Sequence, residues 1–149
     1  MKKTTLCYIR KNGKLLLLFR NRKEHDPNEG KWVGIGGKFE EGETAEECLL
    51  REVKEETGLL LTSFYFHGVI SFRSDRWEPE DMYLFSSDGF EGEIAEDCPE
   101  GILRWIPEEE VLKLPMWEGD RYFLEPLIKG EKQIEMTLFY EGDALVGRR

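Results

Sequence analysis

Basic residues are scarce in this 149-residue chain: 21 Lys and Arg stand against 31 Asp and Glu, a net charge of −10. A protein that grips a nucleic-acid polymer needs a basic face, because phosphate contacts drive its affinity. Such polymers are therefore set aside as partners. A small anionic molecule remains compatible, provided metal cations bridge it to the acidic protein. Cysteine is equally sparse. Cys7, Cys48 and Cys98 show neither CxxC nor Cys/His spacing, which excludes a zinc site or disulfide framework and leaves buried or incidental thiols. The two histidines, His25 and His67, stand isolated, so a structural or surface role is favoured over a catalytic one. Long apolar runs are missing too. LCYI and LLLLF are too short to span a bilayer, and MKKTTLCYIRKNG puts a charge directly after its brief apolar patch. A cytoplasmic protein without membrane contact is expected.

What is present fits one globular domain over residues 1–149, with 40% hydrophobic and 35% charged residues. TTLCYIR (4–10) and KLLLLF (14–19) read as strands joined by a turn at Lys11-Asn12-Gly13. A polar loop and the glycine-rich WVGIGG follow. A helix begins near Thr44, which forms a capping box with Glu47, and Gly58 ends it. LLLTSFYFHGVISF, DMYLFSSDG and GILRWI read as strands, EEEVLKLP and GDRYFLEPLIKG as helices, and QIEMTLFYEG as the last strand. The expected class is α/β, a mixed sheet with helices on its faces.

The helix poses a problem. At about 100° per residue, Glu52, Glu55 and Glu56 fall within an arc of about 100° that also holds or adjoins Ala45, Cys48 and Leu49. Most charge runs are solvated faces with basic partners at i+4. Here Glu52 and Glu56 are themselves an i, i+4 like-charge pair, which destabilises a helix. A cation site resolves the conflict. Carboxylates without imidazole or thiolate select Mg²⁺, with Mn²⁺ as a substitute, and Mg²⁺ completes its shell with water and substrate phosphates. Gly36 and Gly37 in the preceding loop let backbone approach a ligand.

The stretch from Gly37 to Leu59 resembles the Nudix box, G-x5-E-x7-R-E-U-x-E-E-x-G-U. Gly37, Glu43, Arg51, Glu52, Val53, Glu55, Glu56, Gly58 and Leu59 occupy all nine fixed positions. The resemblance implies an α/β/α sandwich and Mg²⁺-dependent hydrolysis of a nucleoside diphosphate linked to another moiety. It also implies metal ligands at Glu52, Glu55, Glu56 and the Gly37 carbonyl. Arg51 would hold Glu52 or a neighbouring acid through a bidentate ion pair, and Glu43 would orient the ligands. Glu52 is the preferred general base, with Glu56 and Glu100 as alternatives.

The flanks resemble the MutT branch, whose members include enzymes that clear oxidised purine nucleotides. KWVGIGGKFEEGET is similar to that branch's entry to the box. Glu100 sits where a further metal-binding glutamate is expected, before Trp105, and LPMWEGDRYFLEPLI is similar to the segment lying over the base. That implies stacking by Trp117 and hydrogen bonding by Asp120, with an ordinary packing role as the alternative for Trp117. Arg20, Lys23 and Lys38 are candidate phosphate contacts, solvated loop cations being the alternative for the first two. Val33 departs from the branch, which often has asparagine there, and Glu118 and Gly119 replace its more acidic pattern. For Phe72 and Met82, core packing is favoured over a place in the pocket wall. The expected partner is a small nucleotide, 8-oxo-dGTP foremost, bound by a monomer or weak dimer. The competing readings are a Nudix hydrolase of ADP-ribose, a dinucleoside polyphosphate or a pterin triphosphate, a silent nucleotide-binding module, and a structural acidic domain.

Overall fold

The computed structural model describes residues 1–22, 26–94 and 97–149; Lys23 and His25 lie outside the described residues. The first two apolar runs form β1 (Lys2–Lys11) and β2 (Lys14–Arg20). Asn12 and Gly13 join them at φ 51° and 75°, the positive values that a two-residue hairpin turn requires. Then follow β3 (Trp32–Val33), α1 (Ala45–Thr57), β4 (Leu60–Ser74), β5 (Glu80–Glu91), β6 (Asp97–Cys98) and β7 (Gly101–Pro107). The chain continues with α2 (Glu108–Val111), α3 (Asp120–Ile128), β8 (Met136–Glu141) and β9 (Ala144–Arg148). QIEMTLFYEG is thus not the last strand. A turn at Gly142-Asp143 brings ALVGR back antiparallel to β8, at the sheet edge, where exposure leaves little apolar pattern to read.

The strand order is β6-β7-β2-β1-β5-β4-β8-β9, with β3 also paired to β2. β1 pairs antiparallel with β2 only near the turn, at Arg10↔Leu15 and Lys11↔Lys14, but runs parallel to β5 from Lys2 to Ile9. β1 and β2 therefore part, and WVGIGG enters the gap. Cys7 exchanges backbone hydrogen bonds with Ile35, and the Thr5 N–H donates to the Gly37 carbonyl. A Cβ on Gly36 would lie 1.9 Å from the Thr5 carbonyl oxygen, so only glycine fits there. The glycine serves a close approach to the neighbouring strand, not only to a ligand.

Alternating residues of β1 and β2 feed two cores. Cys7, Ile9, Leu16 and Leu18 join Leu49 and Val53 of α1 on one face, while Tyr8, Leu15 and Leu17 join Phe123 and Leu127 of α3 on the other. The result is a sandwich of helices about a mixed sheet. All three cysteines are buried and free, and the His67 ring is held between the Lys132 carbonyl and the Ser86 hydroxyl, both as expected for structural residues. Among the described residues no helix is long and apolar enough to cross a membrane.

Local chemistry sets the start of α1. The Thr44 hydroxyl accepts from Glu47 N–H at 3.2 Å, Glu47 Oε1 accepts from Thr44 N–H at 2.9 Å, and Gly58 closes the helix at φ 81°. Thr44→Ala is expected to cost about 1 kcal/mol. A thermal melt should show a Tm lower by about 2–4 °C. An unchanged Tm would mean that the cap carries no stability.

Candidate active site

Arg51 organises the box. Its Nε and Nη2 donate to Glu43 Oε2 and Oε1 at 2.7 and 2.9 Å, a bidentate pair. Nη1 reaches Glu52 Oε1 at 2.8 Å and Glu55 Oε2 at 3.2 Å, and Nη2 also donates to the Lys38 carbonyl at 3.0 Å. The Arg51 hydrogen bonds hold the Glu43 carboxyl down at about 2, helped by the Glu40 N–H that donates to it. One guanidinium thus ties the start of the loop to the helix face that carries the acids.

Glu52 and Glu56 take the inner positions on that face. The Glu52 carboxylate lies against Gly37 so closely that a Cβ there would come within 2.6 Å of both its oxygens. Burial raises its affinity for a proton against the pull of Arg51. Glu56 is 7% exposed and accepts from Gly36 N–H at 3.0 Å. Burial first, then the charges of Glu52 and Glu100, push Glu56 up to about 8, while Arg20 pulls it down. Arg20 also pairs with Asp26 at 2.9 Å. Glu55 remains on the exposed rim, with 59% of its side chain accessible.

Glu52, Glu56, Glu100, Arg20, Gly36, Gly37 and Lys38 line a cavity of about 860 Å³. Asn28, Val33, Phe72, Met82, Trp117 and Asp120 line the same cavity. Phe72 and Met82 combine both roles weighed for them, packing on the α3 core while forming cavity wall. The Trp117 ring is fixed: its indole N–H donates to Asn28 Oδ1 at 2.8 Å, and its edge meets Tyr140 at 5.2 Å between centroids. Asp120, 7% exposed at the start of α3, is pushed up to about 7 by burial and then by the charge of Glu80, with Lys31 opposing.

Of the candidate residues, Arg51 lines the cavity, Glu43 and Glu55 do not, and Lys23 lies outside the described residues. Sequence reasoning missed Asn28, Thr4, Glu80 and Tyr140, all of which line it. No local signal could have found them, since they come from a polar loop and from ends of strands that only the tertiary fold brings together.

The donor set suits a hard cation. Three carboxyls converge closely enough that Glu52 and Glu100 both raise Glu56, and all donors are oxygens. Among the described residues no three acidic, histidine or cysteine side chains form a ready metal cage. Glu52 and Glu55 each place one carboxylate oxygen on Arg51 Nη1.

Comparison with known proteins places the chain in a family. The chain is 31% identical over 144 residues to the Nudix hydrolase YvcI of Bacillus subtilis, covering 94% of this chain and 87% of that protein. It is 30% identical over 143 residues to the oxidized purine nucleoside triphosphate hydrolase of Danio rerio, covering 95% and 89% respectively. The crystal structure of a MutT protein from Bacillus halodurans superposes with a TM-score of 0.90 at 30% identity, covering 100% of this chain and 97% of that one. The NUDIX domain matches residues 2–127, and with the box, the sandwich and these relatives in agreement, the chain belongs to the Nudix hydrolase family, in its MutT branch.

Proposed function

We propose that this Nudix hydrolase is a Mg²⁺-dependent pyrophosphohydrolase of oxidised purine nucleoside triphosphates, 8-oxo-dGTP foremost, which clears the nucleotide pool. In this reading residues 1–149 act as one cytoplasmic domain, monomeric or weakly dimeric. The observation that carries it is the continuity of one cavity from the box carboxylates to Trp117 and Asp120. A polyphosphate suits the charged lining residues and a purine the aromatic ones. Trp117 lines the cavity, and Lys31, 4.4 Å from its ring centroid, does not. Asn28 brings to the wall an amide that Val33 lacks.

Glu52, Glu56, Glu100 and the Gly37 carbonyl would hold the metal, with Glu55 joining from the rim. When bound, Mg²⁺ supplies neutralisation of the triphosphate and an acidified water. The Glu52 oxygen not engaged by Arg51 takes the proton of the attacking water. That water's oxygen bonds to an internal phosphorus, the bridging P–O bond breaks, and monophosphate and pyrophosphate result. Arg20 and Lys38 balance the phosphate charge, and Arg51 with Glu43 keeps Glu52 oriented.

The test is kcat/KM with Mg²⁺ for 8-oxo-dGTP, 2-hydroxy-dATP, dGTP, dATP, ADP-ribose and a diadenosine polyphosphate. A clear preference for the oxidised purines, with pyrophosphate as product, is expected. Flat activity, or a preference for ADP-ribose, would sink the substrate assignment. Trp117→Ala should lower kcat/KM for the preferred purine by about 10–100-fold, the worth of one base stack. Half-activation by Mg²⁺ should stay unchanged; a shift there would contradict a role confined to the base.

A further inference from the structure

Resting on that reading, we propose that Glu80, anchored by the Thr4 hydroxyl, is a second base-reading carboxyl that works with Asp120 to select purines carrying an amino group beside a ring N–H. Glu80 and Thr4 reach the cavity because β1 and β5 run parallel, with Lys2 opposite Glu80 and Thr4 opposite Met82. The Thr4 hydroxyl donates to Glu80 Oε2 at 2.6 Å, and the Lys2 ammonium stands 3.8 Å from Oε1. One oxygen is thus held firmly and the other only loosely. Phe72, the partner of Glu80 across β4 and β5, and Met82 make the surroundings apolar.

Asp120 enters the same cavity from the start of α3, and no hydrogen bond to its carboxyl is found among the described residues. Two carboxyls that face one cavity repel, and the Glu80 charge contributes to raising Asp120 to about 7. The arrangement favours a ligand that offers donors to both. A guanine-type edge does so, since its ring N–H and exocyclic amino group lie side by side, whereas a hypoxanthine edge lacks the amino group. Glu80 accepts from that amino group through its loosely held oxygen, and Asp120 meets the ring N–H. A plain ion pair with Lys2 does not account for the arrangement, because both partners are partly solvated at a long separation and such pairs contribute little.

Two readouts test this. The first is the ratio of kcat/KM for 8-oxo-dGTP over 8-oxo-dITP, which differ only in the 2-amino group. The second is the ratio of their monophosphates' affinities by calorimetry, which requires no turnover. Glu80→Gln is expected to lower both ratios by about tenfold or more, chiefly through the guanine compound, the worth of one hydrogen bond to a charged group. Hypoxanthine values should change less than guanine values, because that base lacks the amino group that Glu80 accepts from. Thr4→Val should lower the ratios in part, and Thr4→Ser should restore them. Equal loss on both bases, or unchanged ratios in Glu80→Gln, would overturn the role of Glu80 while the purine reading stands. A wild-type protein that binds neither monophosphate would overturn both.

Discussion

Glu56→Gln is expected to lower kcat/KM by about 10³-fold or more while making the metal-free protein more stable above neutral pH. Glutamine keeps the size of the side chain and an oxygen for the Gly36 N–H, so packing survives. What is lost is the charge that, in the proposed reading, draws a cation to this buried carboxyl. Glu56 stands at about 8 in the fold against an ordinary 4.5. Below pH 4.5 both folded and unfolded forms hold the proton, and the residue contributes no pH dependence. Between about 4.5 and 8 the unfolded chain ionises while the fold retains the proton, so this contribution lowers stability as pH rises and levels off above 8. Thermal melts of the metal-free protein from pH 5 to 9 should show that decline, and Glu56→Gln should flatten it. Added Mg²⁺ should raise the wild-type Tm most at the alkaline end, where the carboxylate is free to bind it. A variant that keeps wild-type activity would remove Glu56 from the chemistry. A melt that declines as steeply as the wild type would show that the buried charge lies elsewhere.

Arg51→Lys is expected to raise the Mg²⁺ concentration for half-activation by about 10–100-fold. Lysine keeps the charge but cannot hold Glu43 with two parallel bonds while also reaching Glu52, Glu55 and the Lys38 carbonyl. The ligands would then lose their orientation, not their chemistry, so activity at saturating Mg²⁺ should recover in large part. The acid limb gives a second signature. Glu43 is depressed to about 2, so its contribution to stability is complete above pH 4.5 and is lost as pH falls through 2. The variant should lose that contribution at a higher pH than the wild type, visible as earlier acid unfolding. Wild-type Mg²⁺ dependence together with an unchanged acid limb would mean that Arg51 does not organise the box.

The reactive half of the site was legible because it is local. Glu43, Arg51, Glu52, Glu55 and Glu56 lie within fourteen residues of one loop and one helix. Helical spacing and the cost of like charges four residues apart suffice to raise the expectation of a cation there. The same locality made the Thr44 cap and the Asn12-Gly13 turn readable. β9 escaped because an exposed edge strand carries too little apolar alternation to announce itself. Within the box, spacing put three glutamates on one arc, yet only packing against the Gly37 loop decided that Glu56 is buried, Glu52 half-buried and Glu55 on the rim.

The sequence by itself determined the family and the acid-rich face of α1, since the box is one loop and one helix in a single continuous stretch of chain. For the rest of the cavity the sequence pointed to Trp117 and Asp120, and tertiary structure added Asn28, Thr4 and Glu80. Asn28, Thr4, Glu80 and Asp120 come from four segments up to 116 residues apart (4 to 120) and meet only because β1 leaves β2 for a parallel partnership with β5. The physical reason is that strand pairing between distant segments depends on the whole sheet closing, and no local pattern records it.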